Sequence, residues 1–258
     1  KIMQGQIFGE AGSRIVIEEL LEGEEASILA FCDGSTAKLM VSSQDHKRIF
    51  DNDKGPNTGG MGAYSPAPVV TKEMELRIEK EVMLPVLHEM KRRGTPYTGI
   101  LYAGLMIRGI DFKVLEFNCR FGDPECQAVL PRLETDLVDI LLACIEGRLA
   151  GQEVKWNKGA ATCVVIASAG YPDKYQKGEE IKGLEKAAKM KDVVVFHAGT
   201  KKDGPKVVTN GGRVLGITAA GLTIAESIKK AYDAVSLISF EGMQYRKDIG
   251  KRALDRGK

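Results

Sequence analysis

Apolar residues along this chain form short runs separated by polar, turn-rich stretches, and the period of each run predicts a strand or a helix. β-branched residues are enriched over 14–20, which predicts a strand. A second apolar run over 26–32 predicts another strand, and the dipeptide Asp33-Gly34 separates it from a third run over 37–41. Asp-Gly is typical of a two-residue β-hairpin turn, so the first forty residues predict antiparallel strands.

The pattern lapses over 42–70, where roughly thirty residues are rich in Asp, Lys, Gly, Pro and Asn. A stretch of this length without periodicity is uncommon inside a compact domain and indicates a functional loop. Thr71 then caps a predicted helix whose apolar residues recur every four positions. The runs over 99–107 and 112–117 follow, and they predict two paired strands.

A polar, turn-rich segment over 151–158 divides the chain. A length of 258 residues fits one large domain or two ordinary ones. We therefore expect a first domain over 1–156 and a smaller second domain over 157–258. The second domain has one well-marked helix, which begins at the capping box formed by Thr223 and Glu226.

The charges are balanced, with 37 Lys and Arg against 35 Asp and Glu and a net charge of +2. No global field draws such a protein to nucleic acid or to an anionic membrane, so an anionic ligand has to be held locally. No apolar run approaches the roughly 18 residues needed to cross a bilayer. We expect neither a nucleic-acid partner nor a membrane.

The five cysteines are far apart and include no Cys-x-x-Cys pair, which predicts reduced thiols and a cytoplasmic location. The chain starts Lys1-Ile2-Met3-Gln4, without an initiator methionine and without the charged-then-apolar pattern of an export signal. We therefore expect it to begin inside a longer parent chain.

The most informative segment for chemistry runs over 114–125. Side chains alternate along a strand, so Glu116, Asn118 and Arg120 share one side of it. Carboxylate and amide oxygens suit Mg²⁺, which keeps water and phosphate oxygens as its other ligands, and an arginine can neutralise a phosphoryl group. The segment outlines a triphosphate site. The alternative interpretation is an edge strand with its polar face in water.

Two further segments admit both a functional and a plain interpretation. The glycine-rich stretch over 55–62 could bring backbone N–H groups close to an anion, or it could be a flexible turn. It matches neither a Walker A box nor the Gly-x-Gly-x-x-Gly dinucleotide motif. The acidic run over 18–25 could bind a ligand or simply be a solvated surface.

Taken together, the segments with candidate chemistry resemble the signature segments of the glycinamide ribonucleotide synthetase family, also called phosphoribosylamine–glycine ligases. The resemblance extends past the boundary near 156 and therefore covers nearly the whole chain. The matching segments lie at 18–25, 44–48, 55–66, 97–104, 115–126, 197–200, 211–215 and 245–250.

The resemblance implies an α/β (α+β) fold. It consists of the second half of an ATP-grasp domain, with a mainly antiparallel sheet and flanking helices, and a smaller mixed α/β C-terminal domain. The implied reaction belongs to purine biosynthesis and joins glycine to 5-phosphoribosylamine through glycyl phosphate, while ATP becomes ADP and phosphate. The implied cofactors are ATP and Mg²⁺ or Mn²⁺, which stabilise phosphoryl transfer electrostatically.

The resemblance also implies roles for single residues. Glu116 and Asn118 would be the metal ligands, and Arg120, Asp45 and Lys47 are the candidate catalytic residues. Arg120 would contact the transferred phosphate, and Asp45 would contact the glycine ammonium. Adenine would lie against Glu18, Glu19 and Leu20, and Glu25 would accept from the ribose hydroxyls. The residues expected near phosphate or phosphoribosylamine are Lys47, Asn57, Gly59 and Gly60. Arg213 and the segment over 170–172 would close over the phosphosugar or play a structural part.

The family pattern includes an amino-terminal domain and an earlier half of the ATP-grasp module, with a glycine-rich flap and a lysine that reaches the ATP phosphates. Neither is found here, since residues 1–12 resemble only the tail of that earlier half. We therefore expect the missing part of the parent chain to be a partner and the present chain alone to bind ATP weakly and turn over little. Two alternatives remain open, namely another ATP-grasp ligase of nucleotide metabolism and a non-catalytic nucleotide-binding or assembly remnant.

Overall fold

The computed structural model describes residues 9–256. Residues 1–8, which the sequence assigns to the tail of the earlier half-module, and residues 257–258 lie outside the described part. The strands are β1 (Glu24–Asp33), β2 (Ala37–Leu39), β3 (Gln44–Asp45), β4 (Arg48–Phe50), β5 (Lys54–Asn57), β6 (Gly62–Ser65), β7 (Thr98–Arg108), β8 (Asp111–Asn118), β9 (Ala160–Ser168), β10 (Val193–His197), β11 (Thr200–Asp203), β12 (Lys206–Thr209), β13 (Arg213–Gly221) and β14 (Met243–Gln244).

The helices are α1 (Lys72–Ile78), α2 (Leu84–Arg92), α3 (Glu125–Val129), α4 (Leu137–Ile145), α5 (Leu184–Ala188), α6 (Ile224–Val235) and α7 (Lys251–Asp255). A π-helical turn, Glu79–Met83, joins α1 to α2, and the Thr71 hydroxyl caps α1 by accepting from the Met74 amide. The helix start predicted at Thr223 is confirmed, since the Thr223 hydroxyl accepts from the Glu226 amide at the start of α6. The capping box is only half formed, because the Glu226 carboxylate accepts from the Leu222 amide instead of the Thr223 amide. Within the described residues, none of these helices is both long and apolar enough to cross a membrane.

The first sheet is antiparallel, with the strand order β2-β1-β7-β8. Both faces of β1 are covered, because Ile28 packs in the core under α1 and α2 while Leu29 and Phe31 pack in the core under α4. A strand buried on both faces reads as a continuous apolar run rather than an alternating one. This double burial explains the run over 26–32, and the strand predicted there is confirmed.

The hairpin between β1 and β2 is also confirmed, but its turn lies one residue later than predicted. The Asp33 amide donates to the Thr36 carbonyl, so Gly34 and Ser35 are the central residues. Of these two central residues, Gly34 alone has a positive φ, of 93°. Asp33 instead accepts from the amides of Ser35 and Thr36 through its side chain, an Asx turn that the dipeptide rule does not anticipate.

The second sheet has the order β10-β13-β9-β6-β3, with β14 beside β9. Two of its strands, β3 and β6, come from the segment over 42–70, which is therefore built from short strands instead of irregular loop. The mainly antiparallel sheets with flanking helices confirm the predicted α/β (α+β) class. Because β3 and β6 belong to the same sheet as β9, the domain boundary near 156 stays a prediction.

The strand predicted over 14–20 is absent, and 14–22 has no regular structure. Val16, Ile17 and Leu20 are 83%, 87% and 90% exposed. A strand needs a partner for its backbone groups, and none of the strands among residues 9–256 pairs with this segment. β-branched composition predicted the strand, and the lack of a pairing partner explains why the prediction was wrong.

Arg246 ties the C-terminal end of the fold to the segment over 42–70. Its guanidinium is nearly fully buried and contacts the carboxylates of Asp53 at 2.9 Å and Asp248 at 2.7 Å. It also donates to the Arg48 carbonyl at 3.1 Å. Although burial opposes ionisation of Asp248, the hydrogen bond from Arg246 outweighs it and lowers the pKa of Asp248 to about 2.

Replacing Arg246 is expected to destabilise the fold. In Arg246→Met the free energy of unfolding should fall by about 3 kcal/mol, because Asp248 is left without its buried partner. The contribution of Asp248 to wild-type stability is present above an unfolded-state pKa of about 3.9 and is lost as the pH falls towards about 2. Urea unfolding between pH 2 and 7 should show that loss in the wild type and a smaller loss in the variant.

Arg256→Met is the matched control, because the pair formed by Arg256 and Glu24 is much more exposed than the buried Arg246 guanidinium and should contribute less than about 1 kcal/mol. Equal losses in the two variants would contradict the role given to Arg246.

Candidate active site

The floor of the candidate site is one face of the first sheet. Gly104 on β7 pairs with Ser27 on β1 and with Glu116 on β8. Tyr102 on β7 pairs with Asn118 on β8. Because side chains alternate along strands, Ser27, Tyr102, Glu116 and Asn118 all point to the same side. Gly104 leaves room there, since a Cβ at this position would lie 3.2 Å from the Glu116 Cγ.

Glu116 and Asn118 share one side of β8, as alternation predicts. The Asn118 Nδ2 donates to the Glu116 Oε1 at 3.3 Å, and both side chains line a cavity of about 170 Å³ together with Arg120. This space is called the carboxylate cavity below. The register of β8 shifts at Leu115, which has no partner on β7, so a bulge sets which residues face the cavity.

Asp45 and Lys47 reach the same cavity from the second sheet. Backbone hydrogen bonds of 2.8 and 3.1 Å between Ser27 and Ser43 hold the start of β3 against β1. Asp45 is 9% exposed, and burial, followed by the nearby charge of Glu125, raises the pKa of Asp45 to about 8. The Lys47 Nζ lies 2.8 Å from the Glu25 carboxylate, and despite the opposing effect of burial this pairing raises the pKa of Lys47.

A second space of about 230 Å³, the central cavity, adjoins the first. Asp45 and Lys47 line both cavities, and the central one is also lined by Glu25, Asn57 and Met106. Glu25 therefore lies where a ligand that extends from the carboxylate cavity would pass.

A third space of about 560 Å³ lies between the segment at 19–22 and the β7–β8 turn, and it is called the hinge cavity. Leu20, Met106 and Phe112 give it apolar walls, while the Glu19 carboxylate pairs with the Lys113 Nζ at 2.6 Å. Glu18 is exposed and is not among the lining residues. Met106 lines both the hinge and the central cavity, so these two spaces adjoin, and the three neighbouring cavities together are called the trough.

The glycine-rich stretch differs from the expected anion cradle. The amides from Thr58 to Met61 are donated within the protein, to the Lys47 carbonyl, the Tyr171 hydroxyl, the Thr58 hydroxyl and the His46 carbonyl. Gly60 has a φ of 112°, and a Cβ there would lie 2.4 Å from the Pro124 Cδ. Gly59 lines the carboxylate cavity, whereas Gly60 lines neither neighbouring cavity. Gly60 therefore serves close packing against the loop after β8.

Arg213 on β13 holds two loops together above the carboxylate cavity. Its guanidinium donates to the Gly59 carbonyl at 2.9 Å and to the Asp123 carbonyl at 2.9 Å. It also forms two hydrogen bonds of 3.1 Å to the Asp123 carboxylate. Because these contacts engage the guanidinium with the protein, they favour the structural alternative for Arg213 over direct contact with a phosphosugar.

Sequence reasoning missed Glu125, Tyr102 and Asp123, which line the carboxylate cavity, and Arg252, which lines the central cavity. Glu125 lies within the matching segment over 115–126, but nothing in that segment assigned it a contact in the cavity. Arg252 lies 199 positions from Asp53, its partner in the central cavity, and no local motif marks it.

The donor set of the trough fits a nucleotide with a divalent cation better than a cation alone. Glu116 and Asn118 offer one carboxylate and one amide oxygen, which suits Mg²⁺ when phosphate and water complete its coordination. Across residues 9–256 there is no group of three or more His, Cys, Asp or Glu side chains that could hold a metal ion. A nucleotide would supply the missing oxygens.

Two sequence profiles of the phosphoribosylglycinamide synthetase family match this chain. The profile of the ATP-grasp (A) domain matches residues 1–126, and the profile of the C domain matches residues 161–252. The phosphoribosylamine–glycine ligase of Vibrio vulnificus strain YJ016 is 51% identical over 256 residues, which are 99% of this chain and 59% of that protein. The trifunctional purine biosynthetic protein adenosine-3 of Gallus gallus is 52% identical over 254 residues, covering 98% of this chain and 25% of that protein.

A crystal structure of phosphoribosylamine–glycine ligase from Thermotoga maritima matches with a TM-score of 0.84 and 35% identity, covering 96% of this chain and 62% of that one. These matches confirm the resemblance read from the motifs. The chain spans about 59% of the length of the Vibrio relative.

Gly60→Ala tests the packing role given to this glycine. The free energy of unfolding should fall by about 1–3 kcal/mol more than in Gly178→Ala, because the added methyl group overlaps Pro124. Gly178 has a comparable φ of 96°, and a Cβ added there would have nothing within 4 Å, so both variants carry the backbone penalty and only one carries the overlap. Equal losses on chemical denaturation would contradict the proposed contact.

Proposed function

Because the chain belongs to the phosphoribosylglycinamide synthetase family, we propose that the protein containing it is an ATP-dependent carbon–nitrogen ligase that joins glycine to 5-phosphoribosylamine. The observation that carries the proposal is the order of groups along the three adjoining cavities of the trough. It begins at the hinge cavity, where Leu20 and Met106 give apolar walls, passes Glu25 and Lys47, and ends at the oxygen ligands Glu116 and Asn118. This order of apolar, polar, cationic and metal-ligating groups matches the order of base, ribose and phosphates in ATP.

In this proposal the adenine base lies in the hinge cavity, with Glu19 and Leu20 beside it and Met106 and Phe112 forming apolar walls. Glu18 acts through the backbone of the same segment. Along the nucleotide, the Glu25 carboxylate accepts from the ribose hydroxyls, and Lys47 attracts the phosphates. Asn57 contributes an amide to the central cavity, and Gly59 contributes to the wall of the carboxylate cavity.

Glu116 and Asn118 hold Mg²⁺ or Mn²⁺ in this proposal. The Asn118 Nδ2 already faces the Glu116 carboxylate, which leaves the Asn118 Oδ1 available to a cation. When bound, the cation neutralises charge on the phosphates during transfer. Arg120 lines the same cavity and adds positive charge where the transferred phosphate would lie.

The proposed reaction has two steps. A carboxylate oxygen of glycine attacks the γ-phosphorus of ATP, the bond from that phosphorus to the ADP oxygen breaks, and glycyl phosphate forms. The amine of 5-phosphoribosylamine then attacks the carbonyl carbon, phosphate leaves, and the nitrogen loses a proton. Lys47 and Arg120 reduce repulsion between the anionic reactants, and Asp45 holds the ammonium group of glycine.

The protein is further proposed to be cytoplasmic, which fits five cysteines that are all unpaired. The domain division at 156 and 157 is also kept as a proposal.

The function is tested on the full-length protein with Mg-ATP. Phosphate release should require glycine and 5-phosphoribosylamine together, and mass spectrometry should detect glycinamide ribonucleotide. Release that depends on a different acid or a different amine would contradict the substrate assignment and would favour another ATP-grasp ligase. Binding of Mg-ATP without release under any of these conditions would favour a non-catalytic role.

Glu116→Gln tests the metal ligand. The substitution keeps the shape of the side chain but removes its charge, so kcat should fall by at least about a hundredfold while the unfolding midpoint changes little. Glu153→Gln is the control, since Glu153 is exposed and its carboxylate pairs with Lys155 on the surface. Near-normal turnover in Glu116→Gln over a range of Mg²⁺ concentrations would rule out the assignment.

A further inference from the structure

β10 forms one edge of the second sheet, outside the trough. Along an antiparallel pair, residues whose backbone groups bond to the neighbouring strand alternate with residues whose groups point away from it. The Ala198 amide, directly after β10, donates to the Val214 carbonyl at 3.0 Å, so the even-numbered residues of β10 bond to β13. The backbone groups of Val193, Val195 and His197 therefore point away from the sheet.

The outer side of β10 has no strand beside it in the part of the chain that the structure describes. The Val193 amide donates to the Met190 carbonyl at 3.3 Å, which satisfies it locally. The amides of Val195 and His197 and the carbonyls of Val193 and Val195 remain for a partner. An edge of this kind is a template for a further strand.

A groove of about 730 Å³ follows this outer side of β10. Val193, Val195 and His197 line it, and its other lining residues include the segments 180–181, 183–186 and 205–207. These segments are held together, because the Ile181 amide donates to the Val207 carbonyl at 2.8 Å. None of the groove residues lines a cavity of the trough.

The part of the chain that forms the groove is rich in lysine. Over 180–207 there are seven lysines and four acidic residues, a net charge of +3 in a chain whose total is +2. Two of the four acids are paired, Glu180 with Lys206 at 2.8 Å and Asp192 with Lys230 at 3.0 Å. The electrostatic field around the groove is therefore positive and favours an acidic ligand.

A lysine-rich edge strand also has a plain interpretation, since lysines protect an exposed strand from pairing with a second copy of the same chain. That protection depends on repulsion between like charges and does not act against an acidic strand. Leu184 and Val194 also give the groove apolar walls, and Val194 is 45% exposed. An incoming strand could pack alternate side chains there, whereas protection alone needs no such walls.

We propose that β10 is a docking site for an extended, acidic segment of another protein, which adds to the second sheet as a further strand. The backbone of that segment bonds to Val195 and His197. Its alternate apolar side chains enter the groove, and its acidic side chains face the surrounding lysines. This docking site lies outside the trough and does not depend on the proposed function.

The test uses the full-length protein and a fluorescein-labelled, end-capped heptapeptide in which glutamate and valine alternate. Fluorescence anisotropy at low salt should show saturable binding. A heptapeptide of glutamate alone should bind at least about tenfold more weakly, because it has no apolar side chains for the groove. No binding of the alternating peptide, or equal binding of the two peptides, would overturn the proposal.

Methylation of the peptide's own amides tests strand addition without changing the protein. One peptide is methylated at its valine amides and another at its glutamate amides, so that each loses the donors on one edge of the strand. Only one of the two should bind at least about tenfold more weakly than the parent peptide, since only one edge faces β10. Equal affinities of the two methylated peptides would overturn the proposal.

Lys186→Glu tests the charge of the groove. Lys186 is an exposed lining residue, so reversing its charge should weaken binding of the alternating peptide about 3- to 10-fold at low salt and less at high salt. Lys80→Glu is the matched control, because it makes the same charge change at an exposed position outside the groove. Equal losses in the two variants would reflect net charge alone and would contradict the docking site.

Hydrogen exchange measured by NMR tests the free edge directly. In the full-length protein without peptide, the Val195 amide should exchange faster than the Val194 amide, which bonds to β13, and the alternating peptide should slow it. Equal protection of the two amides before the peptide is added would mean that another part of the full-length chain covers β10. That result would overturn the proposal.

Discussion

The antiparallel pairing of β7 with β8 is the constraint on which the candidate site depends. Gly104 lies opposite Glu116, and the unpaired Leu115 sets the register beyond which Glu116 and Asn118 face the cavity. A shift of one residue in this pairing would turn both oxygen ligands to the other side of the sheet. The absence of a side chain at Gly104 and the bulge at Leu115 are therefore as important to the site as the two ligands themselves.

The second sheet completes the site that the first sheet begins. Ser43, the residue before β3, hydrogen-bonds to Ser27 on β1, and this contact brings Asp45 and Lys47 to the floor formed by β7 and β8. Two arginines from the C-terminal part of the chain add further contacts: Arg213 binds the Gly59 carbonyl, and Arg246 binds the carbonyl of Arg48, which follows Lys47. The charged groups of the trough are thus held by two sheets, which gives them fixed positions around a ligand.

The alternation and the apolar runs in the sequence predicted those features of the fold that depend on neighbouring residues in the chain. Alternation over 116–118, beyond the bulge at Leu115, was enough to place Glu116 and Asn118 together, and double-sided burial accounts for the apolar run at 26–32. The strand over 14–20 could not be judged locally, because strand formation depends on a partner elsewhere. The packing of Gly60 depends on Pro124. The orientation of Glu125 depends on hydrogen bonds from Tyr102, 23 positions away, and from Ser27, 98 positions away. Such distant contacts leave no periodic signal in the sequence.

Locating the bound metal is the strongest test of Glu116 and Asn118 as its ligands. The full-length protein would be crystallised with Mn²⁺ and a non-hydrolysable ATP analogue, and the anomalous signal of manganese would mark its position. The account predicts a peak within coordination distance of the side-chain oxygens of Glu116 and Asn118, in contact with the analogue's phosphates and with the adenine base in the hinge cavity. A peak elsewhere, with these two side chains turned away from it, would contradict the account.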